Sequence, residues 1–155
     1  QFRVNCEARV TRKSFTLSCP VPERWKGSGE ALVLCALDDD DEVSGTWVAD
    51  ERGGYIEAKL DRFGTFEIRP DTVPPTFGKP RLEGGKLKIN VADDLSGISK
   101  WEGRCGGRWM RLAFEKGVLH YPIEDDILEA GQEVRIWAVD GTGNLGHQTF
   151  QWPLE

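Results

Sequence analysis

The chain is predicted to be all-β, folded as two tandem β-sandwich domains. Three observations predict this. Short runs of alternating apolar residues recur along the whole length, punctuated by 18 Gly and 8 Pro. No window holds a helical period for more than two turns. The alternation restarts after Asp71-Thr72-Val73-Pro74-Pro75-Thr76. There two prolines remove backbone donors and fix φ, and Val73 before Pro74 is pushed to extended geometry. A short, semi-rigid, Pro-rich hinge is expected, with domains over residues 1–73 and 74–155.

In the first domain strands are expected near Phe2–Val10, Ser14–Cys19, Ala31–Leu37, Thr46–Asp50, Tyr55–Leu60 and Thr65–Arg69. The acidic run Asp38–Glu42 falls between two of them and reads as a loop. Gly53-Gly54 and Phe63-Gly64 mark tight turns. Upstream strands of this domain can be missing from the sequence. In the second domain strands are expected near Phe77–Leu82, Lys86–Ala92, Ile98–Cys105, Arg108–Phe114, Val118–Pro122, Gln132–Asp140 and His147–Trp152. Seven short strands fit an immunoglobulin-like sandwich. Leu87, Ile89 and Val91 should face its core.

Gly106-Gly107 signals a two-residue hairpin. That register sets Glu102 opposite Arg111 and Arg104 opposite Trp109, a charged outer face. The other face carries Trp101, Met110, Leu112 and Phe114 and is expected to be core. Trp101 should therefore be buried and Trp109 outward. Trp137 alternates with Val134, Ile136 and Ala138 and should also point outward.

Composition excludes several function classes. Residues 1–73 hold ten Lys and Arg against fourteen Asp and Glu, a balance of −4; residues 74–155 hold ten against twelve, a balance of −2. Neither half is basic, and no cationic stripe interleaves with aromatics, so no nucleic-acid partner is expected. No apolar run reaches the length of a membrane span, so no membrane insertion is expected. No charged-then-apolar leader is visible. Gln1 in place of Met is expected of a mature protein or a piece of a longer one.

Zinc is not expected: Cys6, Cys19, Cys35 and Cys105 form no Cys-x-x-Cys pair, and His120 and His147 are the two histidines. Cys6 and Cys19 face each other if the loop at Arg12-Lys13 has two residues. A disulfide there requires an oxidising compartment; buried free thiols are the preferred reading. No Gly-x-Ser-x-Gly elbow is present. Asp93-Asp94 and Asp125-Asp126 are adjacent pairs at turns, as turn hydrogen bonding favours. Calcium is a sharper alternative for the acidic loops at Asp38–Glu42, Asp71, Asp93-Asp94 and Asp140. These loops lack the alternating ligand spacing of a dedicated site, so capping and solvated turn roles take precedence. No catalytic residue, metal or cofactor is assigned.

Binding is the remaining chemistry. If the strands from Ile98, Arg108, Gln132 and His147 share one sheet, Trp109 and Trp137 share its outer face beside Arg104. These three residues form a candidate platform for a glycan. A cover supplied by a neighbouring domain competes with that reading.

Several motifs carry a resemblance. They are Lys13-Ser14-Phe15-Thr16-Leu17-Ser18, Gly45-Thr46-Trp47, Phe63-Gly64-Thr65-Phe66 and the run Asp71–Thr76. Asp93-Asp94-Leu95-Ser96-Gly97-Ile98, Gly107-Arg108-Trp109 and Asp140-Gly141-Thr142-Gly143-Asn144 follow. In this order and spacing, from about Lys13 to Trp152, the chain resembles the C-terminal region of bacterial multidomain proteins related to lysostaphin-type zinc peptidoglycan endopeptidases. In that family an upstream domain binds zinc through His-x-x-x-Asp and His-x-His motifs. Neither motif occurs here, where His120 precedes Tyr121-Pro122 and His147 precedes Gln148-Thr149. The resemblance implies a non-catalytic accessory region that supports a peptidase-like domain of the same polypeptide. It also implies a periplasmic, cell-surface or secreted location and peptidoglycan or another glycan as a partner.

Overall fold

The computed structural model describes residues 2–4, 14–124 and 127–154. The described residues form strands and one 3-10 turn, Glu23–Trp25, arranged in several sheets consistent with a β-sandwich construction. The chain divides into two compact units, residues 1–72 and 73–155.

The first unit contains β1 (Phe2–Val4), β2 (Phe15–Pro20), β3 (Leu32–Leu37), β4 (Val43–Val48), β5 (Asp50–Arg52), β6 (Tyr55–Leu60) and β7 (Gly64–Pro70). One sheet runs β1-β7-β3-β4 and the other β2-β6-β5. β3 is a continuous apolar run with both neighbours occupied, and every residue in it is buried. Leu34, Ile56, Leu60 and Phe66 anchor the core. Asp71 follows β7 near the end of the unit, 3% exposed, its N–H donating to the Ala31 carbonyl at 3.0 Å.

Phe2–Val4 pairs with β7, and β2 pairs with β6. One expectation fails in this unit. The run expected at Thr46–Asp50 is divided: β4 pairs with β3, and β5 crosses to pair with β6. The break at Ala49 is a corner at which a strand changes sheets. Cys6 lies outside the described residues, and the Cys6–Cys19 pairing with it. Cys35 is a buried free thiol, and burial pushes its pKa up.

The second unit contains β8 (Thr76–Phe77), β9 (Arg81–Glu83), β10 (Lys86–Ala92), β11 (Ile98–Cys105), β12 (Arg108–Met110), β13 (Ala113–Glu115), β14 (Val118–Pro122), β15 (Glu133–Asp140) and β16 (Leu145–Gln151). One sheet runs β13-β14-β10-β8, with β9 also on β10; the other runs β12-β11-β15-β16. Leu87, Ile89, Val91, Leu119 and Tyr121 meet Cys105, Met110, Val134, Ile136 and Ala138 in the core.

The Gly106-Gly107 hairpin has the expected register, with Arg104 opposite Trp109 and Gly103 opposite Met110. Both glycines have positive φ, 55° and 85°, as a two-residue turn of this kind demands. The pairing then stops. The segment expected as one strand, Arg108–Phe114, is two: the Leu112 N–H turns back to the Met110 carbonyl at 2.9 Å, and β13 joins β14 in the other sheet. Arg111 is therefore not paired with Glu102.

This corner overturns the expected burial of Trp101, which is 39% exposed. It shares a face with buried Gly103 and Cys105 and pairs with Ala138 of β15 on one side, but β12 no longer flanks it on the other. Its ring stands 5.1 Å from Phe114 and its Nε1 donates to the Leu112 carbonyl at 3.1 Å. Leu112 and Phe114 are half-buried and pack on the core, while Met110 is fully buried. A Cβ at Gly103 would come within 2.5 Å of Leu112 Cδ1, so a larger residue there would push the Leu112 side chain aside. Trp101→Ala is expected to cost about 1–2 kcal/mol, one aromatic contact and one hydrogen bond. Trp109→Ala should stay within about 0.5 kcal/mol. Denaturant melts of the two variants check this order.

Candidate functional site

The outer face of the β12-β11-β15-β16 sheet is assembled by register. Trp109, Arg104, Arg135 and Thr149 form one row across the four strands. Glu102, Trp137 and His147 form the next, and Lys100, Val139 and Leu145 the one after. Trp109 and Leu145 are 57% and 56% exposed, and Trp137 is half-buried. The three residues expected at a platform, Trp109, Trp137 and Arg104, are thus on one face, with Trp109 and Trp137 on strands two apart.

The charges on this face are arranged as pairs along single strands. Arg104 Nε donates to Glu102 Oε1 at 2.7 Å, and Arg135 Nε donates to Glu133. Period-two spacing puts each pair on the same side of its strand. The guanidinium groups are held over the sheet and neutralised, with N–H groups left over for further acceptors.

Trp137 borders three hollows. One of about 520 Å3 is lined by Lys100, Trp101, Glu102, Trp137, Val139 and Leu145. Another of about 290 Å3 lies by the Gly106-Gly107 turn, with Arg104, Gln132 and Arg135 on its wall. A third, about 270 Å3, includes His147 and Thr149. A half-buried indole bordering these hollows can stack on a flat apolar face while neighbouring polar groups hydrogen-bond its edge. Arg135, Val139 and Leu145 were not anticipated; the parity of β15 that gives Trp137 also gives Arg135 and Val139.

A second constellation forms at one end of this unit. The Asp93–Ile98 and Asp140–Asn144 motifs, read separately as turns, are locked together. Asp93 Oδ2 accepts N–H bonds from Leu95 at 3.2 Å and Gly97 at 2.7 Å. The Gly141 N–H donates to Ser96 Oγ at 3.0 Å and to the Gly97 carbonyl at 2.8 Å. Asp140 is 1% exposed. Its Oδ1 accepts the N–H groups of Thr142, Gly143 and Asn144 at 2.7–2.9 Å, and its Oδ2 accepts Asn144 Nδ2 at 2.8 Å. Burial pushes the Asp140 carboxyl up, but the bonds from Asn144, Thr142 and Gly143 together outweigh it and hold the pKa below its ordinary value. A carboxylate oxygen of Asp93 lies within 4.8 Å of one of Asp140. Hard oxygens so placed suit a cation such as calcium, and the same oxygens serve as the turn acceptors expected of these motifs.

His120 lies on β14 and His147 on β16, strands of different sheets. No helix of the described residues is long and apolar enough to cross a membrane. No protein-family model matches the chain, and no curated protein matches it.

Proposed function

We propose that this chain is a non-catalytic accessory tandem of two immunoglobulin-like β-sandwich domains joined by a short hinge at Pro74-Pro75. It positions or supports a peptidoglycan-acting, peptidase-like domain of the same polypeptide in a periplasmic, cell-surface or secreted protein. The observation that carries the reading is that each unit closes its own core between its own sheets. That is the construction of a self-sufficient spacer module. The motif resemblance supplies the cell-envelope context.

A second reading is favoured by the outer face of the β12-β11-β15-β16 sheet. There Trp109, Trp137 and Arg104, with the hollows around Trp137, suit a glycan- or peptide-binding module. Co-sedimentation with purified peptidoglycan sacculi separates the two. A support module stays in the supernatant as wild type and as Trp109→Ala or Trp137→Ala. A binding module sediments, and each variant weakens it by about tenfold or more, the worth of one lost stacking contact. Sedimentation of the wild type together with both variants undiminished would remove this face as the binding site.

A further inference from the structure

The other sheet of the second unit carries a groove of different chemistry. Lys86 on β10 stands opposite Pro122 on β14, and His120 stands between Lys88 and Ala113. Leu87, Ile89, Leu119 and Tyr121 alternate with them and fill the core, so Lys86 and His120 face outward. Arg111 and Leu112, where the chain crosses from β12 to β13, border the same hollow. It measures about 420 Å3, and its lining is Lys86, Arg111, Leu112, Ala113, His120 and Pro122.

The charge balance here is one-sided. None of the residues lining the groove is acidic. Among the described residues Lys86, Arg111 and His120 make no ion pair. Glu83 stands opposite Lys86 in register, but its carboxylate is taken by Lys88 at 3.0 Å and Arg81 at 3.3 Å. The Lys88 and Arg81 hydrogen bonds hold the Glu83 carboxyl below its ordinary value. A cationic hollow thus persists on a chain whose net charge is −6.

We propose that this groove binds the free carboxylate end of a short peptide. The Arg111 fork and the Lys86 ammonium take the carboxylate, and the His120 imidazole supplies a further polar contact. Leu112, Ala113 and Pro122 form an apolar floor for the aliphatic side chain next to it. A bare oxyanion would use the cations and leave that floor empty. The volume lies within the range of small-ligand sites. The site is separate from the tryptophan face and does not depend on the accessory role.

The test is an amide-resonance titration of the whole chain with N-acetyl-alanyl-alanine. Its C-terminal amide and inorganic phosphate serve as comparison probes. The acid is expected to shift resonances at Lys86, Arg111, Ala113 and His120. Lys86→Ala and Arg111→Ala should each weaken it about tenfold, with unchanged melting temperatures showing that the variants fold. The amide should bind at least about tenfold more weakly than the acid. No shift at these residues, equal binding of the amide, or phosphate binding as well as the acid would overturn the proposal.

Discussion

Phe66→Ala is expected to remove about 3–5 kcal/mol from the first unit, the usual cost of deleting a buried aromatic. Phe66 is fully buried at the centre of β7, opposite Ala36 of β3, and meets Trp47 edge-on at a centroid distance of 6.0 Å. Both sheets of the unit close on it through Ile56, Leu60 and Ile68. Tyr55→Ala supplies the contrast: Tyr55 is 52% exposed, and its loss should stay within about 0.5 kcal/mol. Urea unfolding followed by tryptophan fluorescence reads both. Equal midpoints would mean that the core is not organised around β7.

The second large effect is expected at Asp140. Asp140→Ala strips the acceptor from three backbone N–H groups and the Asn144 amide, and should cost the second unit about 2–4 kcal/mol. Its pH dependence has a definite sign. The folded carboxyl titrates below its ordinary value. Its contribution is therefore complete above about pH 4, the ordinary aspartate range, and is lost as pH falls through the depressed folded value. Asp140→Asn should flatten the acid limb of the stability profile relative to wild type. An acid limb of the same slope in both proteins would show that another group is responsible.

What the sequence made legible was local. The register at Gly106-Gly107 and the alternation of Leu87, Ile89 and Val91 follow from turn chemistry and strand period alone. Trp109 and Trp137 were placed outward by the same parity. The corners were not legible. Arg108–Phe114 reads as one strand because its alternation continues through Arg111; only the packing of two sheets reveals that the chain changes sheets there. Trp101 reads as core for that reason alone, and is 39% exposed. The clamp between Ser96 and Gly141 joins groups 45 positions apart, and nothing in either motif by itself specifies the other as its partner. Leu145 joins the tryptophan face through the pairing of β16 with β15, which is likewise a tertiary fact.

We propose that this chain positions or supports a neighbouring domain and performs no peptidoglycan chemistry of its own. The most direct measurement is release of soluble fragments from dye-labelled sacculi by the purified chain, with zinc and with a chelator. No release above the protein-free rate is expected under either condition. Release abolished by the chelator and restored by zinc would contradict it.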